Sequence, residues 1–80
     1  MSIRNSLTGE ARLQALLREV RNDAGLRQAD LAERLGQPQS FVSKYESGER
    51  RLDILELRQV CEILGIPLHD FIRRLEERLK

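Results

Sequence analysis

Apolar residues recur at helical spacing along most of the chain. Leu13, Leu16, Leu17 and Val20 fall at i, i+3, i+4 and i+7, which predicts an amphipathic helix from Glu10 that ends at Gly25. Ala29, Leu31, Ala32 and Leu35 form a second, shorter stripe closed by Gly36. Pro38 suits the opening of a third helix, because its missing N–H would be unpaired there anyway. That helix carries Val42 and Tyr45 on one side and stops at Ser47-Gly48. After a charged loop, Gly48-Glu49-Arg50-Arg51, Asp53 with Glu56 three residues on predicts a capped start to a fourth helix. Its stripe is Leu57, Val60, Cys61 and Leu64, ended by Gly65, and Pro67 opens a fifth helix with Leu68, Phe71, Ile72, Leu75 and Leu79. Nothing reads as a strand, a repeat or an interior linker. The expectation is an all-α fold of five helices over 10–80, preceded by a polar, aperiodic arm at 1–9.

Composition narrows the class. Eighty residues make one small domain. Fourteen leucines against three aromatics suit packed helices better than sheets. The 14 basic and 13 acidic residues leave a net charge of +1, which excludes a basic tail and an acidic disordered activator. It leaves room for a DNA reader, which needs a few well-placed cations. No apolar run approaches the about 18 residues of a membrane span, and MSIRNSLTGE offers no signal-peptide core. Cys61 alone makes neither an internal disulfide nor a zinc site. In register with Leu57 and Leu64, it reads as a small buried hydrophobe. A cytoplasmic setting is expected, with no membrane partner. His69 beside Asp70 reads as a polar pair at a helix start, and no nucleophile has a base near it in sequence. The chain is therefore read as no enzyme, with no catalytic residues, no metal and no cofactor.

The informative stretch is Arg27 to Ser47, RQADLAERLGQPQSFVSKYES. Two short helices are separated only by Gly36-Gln37-Pro38, too short a connection for them to lie antiparallel. They must cross steeply, and small Ala32 lets them approach. That is helix-turn-helix geometry, which offers its second helix to a DNA major groove. Gln39, Ser40, Ser43 and Lys44 share the side of that helix opposite Val42 and Tyr45. Gln pairs twice with adenine, Lys reaches guanine and Ser serves either, so these four are the candidate base readers. The bland reading of the same residues is a solvated polar face.

On Gln28, Leu31-Ala32, Gly36, Val42-Ser43, Glu46, Gly48 and Leu64-Gly65-Ile66, the chain resembles the Cro/phage-repressor/Xre family of helix-turn-helix regulators over about residues 11–72. The resemblance implies a lambda-repressor-like DNA-binding domain. It implies that Gln28 bonds a phosphate, that Gln39, Ser40, Ser43 and Lys44 line the groove face, and that Arg21 pairs with Glu46. Three positions depart from the family pattern. Arg27 stands where a Ser or Thr cap is usual, a loss typically on the order of 1 kcal/mol; it either reaches a phosphate or is tolerated. Pro38 replaces a groove-edge hydroxyl. Phe41 is large for its place, and either meets a thymine methyl or packs on its own domain. Arg50 and Arg51 read as a backbone clamp or as solubilising charge.

The functional expectation is a transcriptional regulator that binds a (pseudo)palindromic operator in double-stranded DNA as a homodimer. Arg27, Gln28, Arg50 and Arg51 would hold phosphates. Leu75 and Leu79, flanked by charges of both signs, extend the fifth helix (67–80) beyond what docking requires. They form a dimer seam, or fold back over Leu13 and Leu17. The alternative is an antitoxin-type module that binds a partner toxin and autoregulates its own operon.

Overall fold

The computed structural model describes the backbone of residues 3–80 and the side chains from Gly9 onward. The described residues form five helices and no strand: α1 (Ile3–Asp23), α2 (Gln28–Leu35), α3 (Gln39–Ser47), α4 (Ile54–Leu64) and α5 (Leu68–Arg78). Helix α1 begins at Ile3 rather than Glu10, so residues 3–9 continue the helix and are not an arm. The segment lacks an apolar stripe but also lacks proline, and a single helical Gly9 costs only about 1 kcal/mol. A Cβ on Gly9 would sit 3.6 Å from Leu79 Cδ2, so α1 is still in contact with the C-terminal end of the chain there. Met1 and Ser2, the rest of the expected arm, lie outside the described residues.

Each helix lends its stripe to one core. Leu16, Leu17 and Val20 meet Leu31 and Ala32 of α2, Val42 and Tyr45 of α3, Leu57, Val60 and Cys61 of α4, and Phe71 of α5. Burying one such Leu, Val or Phe side chain stabilises by roughly 1.5–3 kcal/mol, which favours helices long enough to present several. Burial pushes the Cys61 thiol up to about 11, consistent with a packing residue.

Two glycines fix how the central helices are joined. Gly36, at φ 68°, closes α2 in the left-handed region, and Gln37 N–H donates to the Ala32 carbonyl at 2.9 Å. The chain then enters α3 after Pro38, which takes the extended N-cap position rather than the first helical one. Gly48 closes α3 at φ 90°, and a Cβ there would lie 2.6 Å from Gln14 Nε2. The three-residue α2–α3 connection keeps the two helices packed together while one side of α3 stays exposed. Helix α4 opens with a complete capping box: Glu56 N–H donates to Asp53 Oδ1 at 2.7 Å, and Asp53 N–H donates to Glu56 Oε1 at 3.0 Å. Helix α5 is tied along α1 by Arg78–Glu19 at 2.6 Å and by Arg12 donating to the Arg78 carbonyl.

Candidate nucleic-acid interface

Helix α3 has two distinct sides. Val42 and Tyr45 are buried, while Gln39, Ser40 and Lys44 stand exposed and Ser43 is half-buried. The Ser43 hydroxyl donates to the Ser40 carbonyl at 3.3 Å, a local bond that still leaves its acceptor pairs available. An exposed row of amide, hydroxyl and ammonium groups on a helix with a fixed inner face is what base-edge reading needs. Phe41 packs on its own domain. Its ring meets Tyr45 edge-on at 5.6 Å between centroids, and the Arg50 guanidinium lies 4.6 Å over its face.

The orientation of α3 rests on a buried charge. Glu46 is 2% exposed, and its two carboxylate oxygens accept from Arg21 Nε at 2.7 Å and Arg21 Nη2 at 3.0 Å. Gln28 Nε2 donates to the same carboxylate at 3.1 Å. Arg21 Nη1 reaches the Leu26 carbonyl at 2.9 Å, and Arg18 donates to the Glu46 carbonyl at 2.7 Å. One carboxylate thus ties α1, the start of α2 and the end of α3 together. The Glu46 hydrogen bond raises the Arg21 pKa against the opposing cost of burial. Among the described residues no buried side-chain polar atom lacks a partner. Tyr45 is held neutral, its pKa pushed up by burial and then by the Glu46 charge.

The four candidate phosphate ligands sit in different surroundings. Gln28 is half-buried against Glu46, and its amide retains a second N–H. Arg27 projects with its side chain 83% exposed and forms a side-on fork with Asp30, Nε and Nη2 each at 3.0 Å from a carboxylate oxygen. Asp30 also accepts from the Arg27 backbone N–H at 2.9 Å, which supplies half of a capping box where the usual hydroxyl is missing. Arg50 is only 40% exposed, fixed between the Phe41 ring and the Glu56 carboxylate at 2.7 Å. Arg51 is 82% exposed and pairs with Glu10 of α1.

Asp30 makes acid stability testable. The Arg27 guanidinium, then the Arg27 N–H, lower its carboxyl from 3.8 to about 2. A folded-state pKa below the unfolded one contributes stability that is complete above the ordinary value and lost as pH falls toward the folded value. The melting temperature should therefore fall between about pH 4 and pH 2, and Asp30→Asn should flatten that fall. Glu56, lowered chiefly by Arg50, keeps some of it in the variant. Parallel curves for parent and Asp30→Asn would contradict the pairing.

The α5 leucines part company. Leu75 is half-buried against the core of its own domain, because α5 lies along α1. Leu79 follows the end of α5 and is 47% exposed beside Gly9. Leu75 is thus partly covered by its own domain, and Leu79 is the more exposed of the two. The large apolar side chains standing most exposed among the described residues are instead Ile54, at 59%, and Leu55, at 73%, in the first turn of α4. His69 is exposed 3.5 Å from Asp70, whose carboxylate also takes Arg73.

Sequence reasoning did not single out Arg18, although it lies three residues before Arg21 on one helix face. It also gave no arginine partner to Asp30, Glu10 or Glu56, although Glu56 reads as part of a cap. Asp30 follows Arg27 at i+3, a local signal that was open to reading.

Comparison with known proteins places this geometry. A family model described as Helix-turn-helix matches residues 17–71. The chain is similar to the solved structure of an XRE-family like protein from Pseudomonas syringae pv. tomato str. DC3000, at 44% sequence identity and a TM-score of 0.78, covering 95% of this chain and 96% of that one. No curated protein matches. With α3 fixed on one side and open on the other, and with that match over nearly the whole length, the chain belongs to the XRE helix-turn-helix family of DNA-binding regulators.

Proposed function

We propose that this chain is a sequence-specific transcriptional regulator that binds a (pseudo)palindromic operator as a homodimer. The exposed side of α3 carries the reading: Gln39, Ser40 and Lys44 project from a helix whose other side is locked by Val42, Tyr45 and the buried Glu46. Gln39, Ser40, Ser43 and Lys44 read bases. Gln28, Arg27 and Arg51 position the phosphates, while Arg50 fixes the loop that carries Arg51. Titrating an operator-length duplex into isotopically labelled protein tests the placement. Amide shifts should concentrate on residues 27–28 and 39–51. Shifts concentrated on α5 instead would remove α3 from the interface.

A single recognition helix makes few base contacts, and a two-fold dimer doubles them across half-sites about 34 Å apart. We assign the dimer surface to Ile54 and Leu55 with Leu79. Leu79 lies beside Gly9, and the next residue, Glu10, pairs with Arg51 three residues ahead of Ile54, so a relay of contacts links Leu79 to the start of α4. A two-fold contact sets this patch against itself. Leu55→Asp should weaken self-association at least about tenfold by sedimentation, the effect of losing roughly 1.4 kcal/mol. Measured at concentrations where the parent is monomeric, its melting temperature should stay unchanged, because Leu55 is exposed in its own chain. A Leu55→Asp protein that dimerises like the parent places the interface elsewhere. The antitoxin-type alternative has only this same apolar patch in its favour.

A further inference from the structure

The arginines that flank the reading helix are not free in this protein. Gln28 bonds Glu46, so the start of α2 abuts the C-terminal end of α3, and Arg27 is placed beside that end. Arg51 follows the same end through the loop after Gly48. Each is occupied by a carboxylate of its own chain: Asp30 takes Arg27, and Glu10 takes Arg51. The Asp30 fork uses Nε and Nη2 of Arg27, the donor pair that a guanidinium presents side-on to a phosphate. A phosphate taking that side of Arg27 must displace Asp30, and one taking Nη2 of Arg51 must displace Glu10.

We propose that Glu10 and Asp30 are built-in competitors of the DNA backbone, holding Arg51 and Arg27 until phosphate displaces them and thereby setting a moderate affinity for duplex DNA. Exposure separates these two pairs from the third. Arg27 and Arg51 are 83% and 82% exposed, so their partners exchange at little cost. Arg50 is half as exposed, at 40%, lies over the Phe41 ring and pairs with Glu56, which also caps α4, so that pair is the more firmly held. Glu10 and Asp30 are thus positioning residues: they act on DNA only through the arginines they hold. The inference rests on the DNA-binding reading above.

Fluorescence anisotropy with a random-sequence duplex, across a salt series from about 50 to 300 mM NaCl, tests it. Glu10→Gln should tighten binding about two- to fivefold per protomer at the low-salt end, the scale of one exposed ion pair. The gain should fade toward high salt, where the pair is already screened, so the salt dependence steepens. Asp30→Asn should behave the same way, and Glu56→Gln should not tighten binding. Two controls separate competition from a mere change of net charge. Glu62→Gln, which makes the same charge change at the exposed Arg58–Glu62 pair of α4, should gain less than Glu10→Gln. In an Arg51→Gln background, Glu10→Gln should gain no more than Glu62→Gln does. A Glu10→Gln protein that melts like the parent and binds no tighter overturns the inference, as does an equal gain from Glu62→Gln or a gain that persists undiminished without Arg51. If the parent itself fails to bind any duplex at low salt, the DNA-binding reading falls, and this inference with it.

Discussion

Glu46→Gln should cost this domain about 3–5 kcal/mol, because it strands the Arg21 charge in a buried site. The substitution keeps the shape and one acceptor oxygen. It removes the anion that accepts both Arg21 N–H groups and the Gln28 amide. A domain of this size shifts its melting temperature by roughly 4–8 °C per kcal/mol, so the variant should melt more than about 10 °C lower. Removing both charges together, in Arg21→Leu/Glu46→Leu, should cost less than the two single losses summed, since neither charge is then left unpaired. DNA binding by Glu46→Gln should weaken further than its folded fraction explains, because the same carboxylate orients the end of α3 and the Gln28 amide. A melting shift of only a degree or two would show that the pair is not what fixes the recognition helix.

The second large effect is on specificity. Gln39 is the first residue of α3, exposed and free of any hydrogen bond within the described protein that would occupy its amide. If its amide pairs twice with adenine, Gln39→Ala removes about 1–3 kcal/mol of discrimination at one position per half-site. A two-fold dimer makes the substitution twice, so the operator loses about 2–6 kcal/mol, or thirtyfold and more. Arg27→Gln should act differently, weakening every duplex by a similar factor and lowering the salt dependence. Binding measured on single-base operator variants separates the two. Equal losses on every variant for Gln39→Ala would make it a positioning contact and not a reader.

What could be read in advance followed the range of each interaction along the chain. The glycine-ended stripes, the three-residue connection from Leu35 to Gln39 and the inner and outer sides of α3 are local patterns, and periodicity exposes them. Arg21 and Glu46 stand 25 residues apart, and the chain itself shows only two residue types. Their pairing was implied by family resemblance. Three features stayed out of reach for physical reasons. The helix over residues 3–9 has no apolar stripe, yet a helix needs only the absence of a breaker to continue. Leu75 belongs to a real apolar face, but a stripe does not say how much of it the domain's own core covers. The Arg51–Glu10 pair joins residues 41 apart on the surface, where no pattern of hydrophobicity records it.

Selection of bound sequences from a pool of random duplexes tests the central claim most directly. A homodimer presenting two copies of α3 should enrich an inverted repeat whose half-site centres lie one helical turn apart, about 34 Å. The same selection with Gln39→Ala should lose preference at one position in each half-site and keep the spacing. A pool that returns no shared sequence, while the protein still binds DNA in a salt-dependent way, would show a backbone binder and contradict sequence reading by α3.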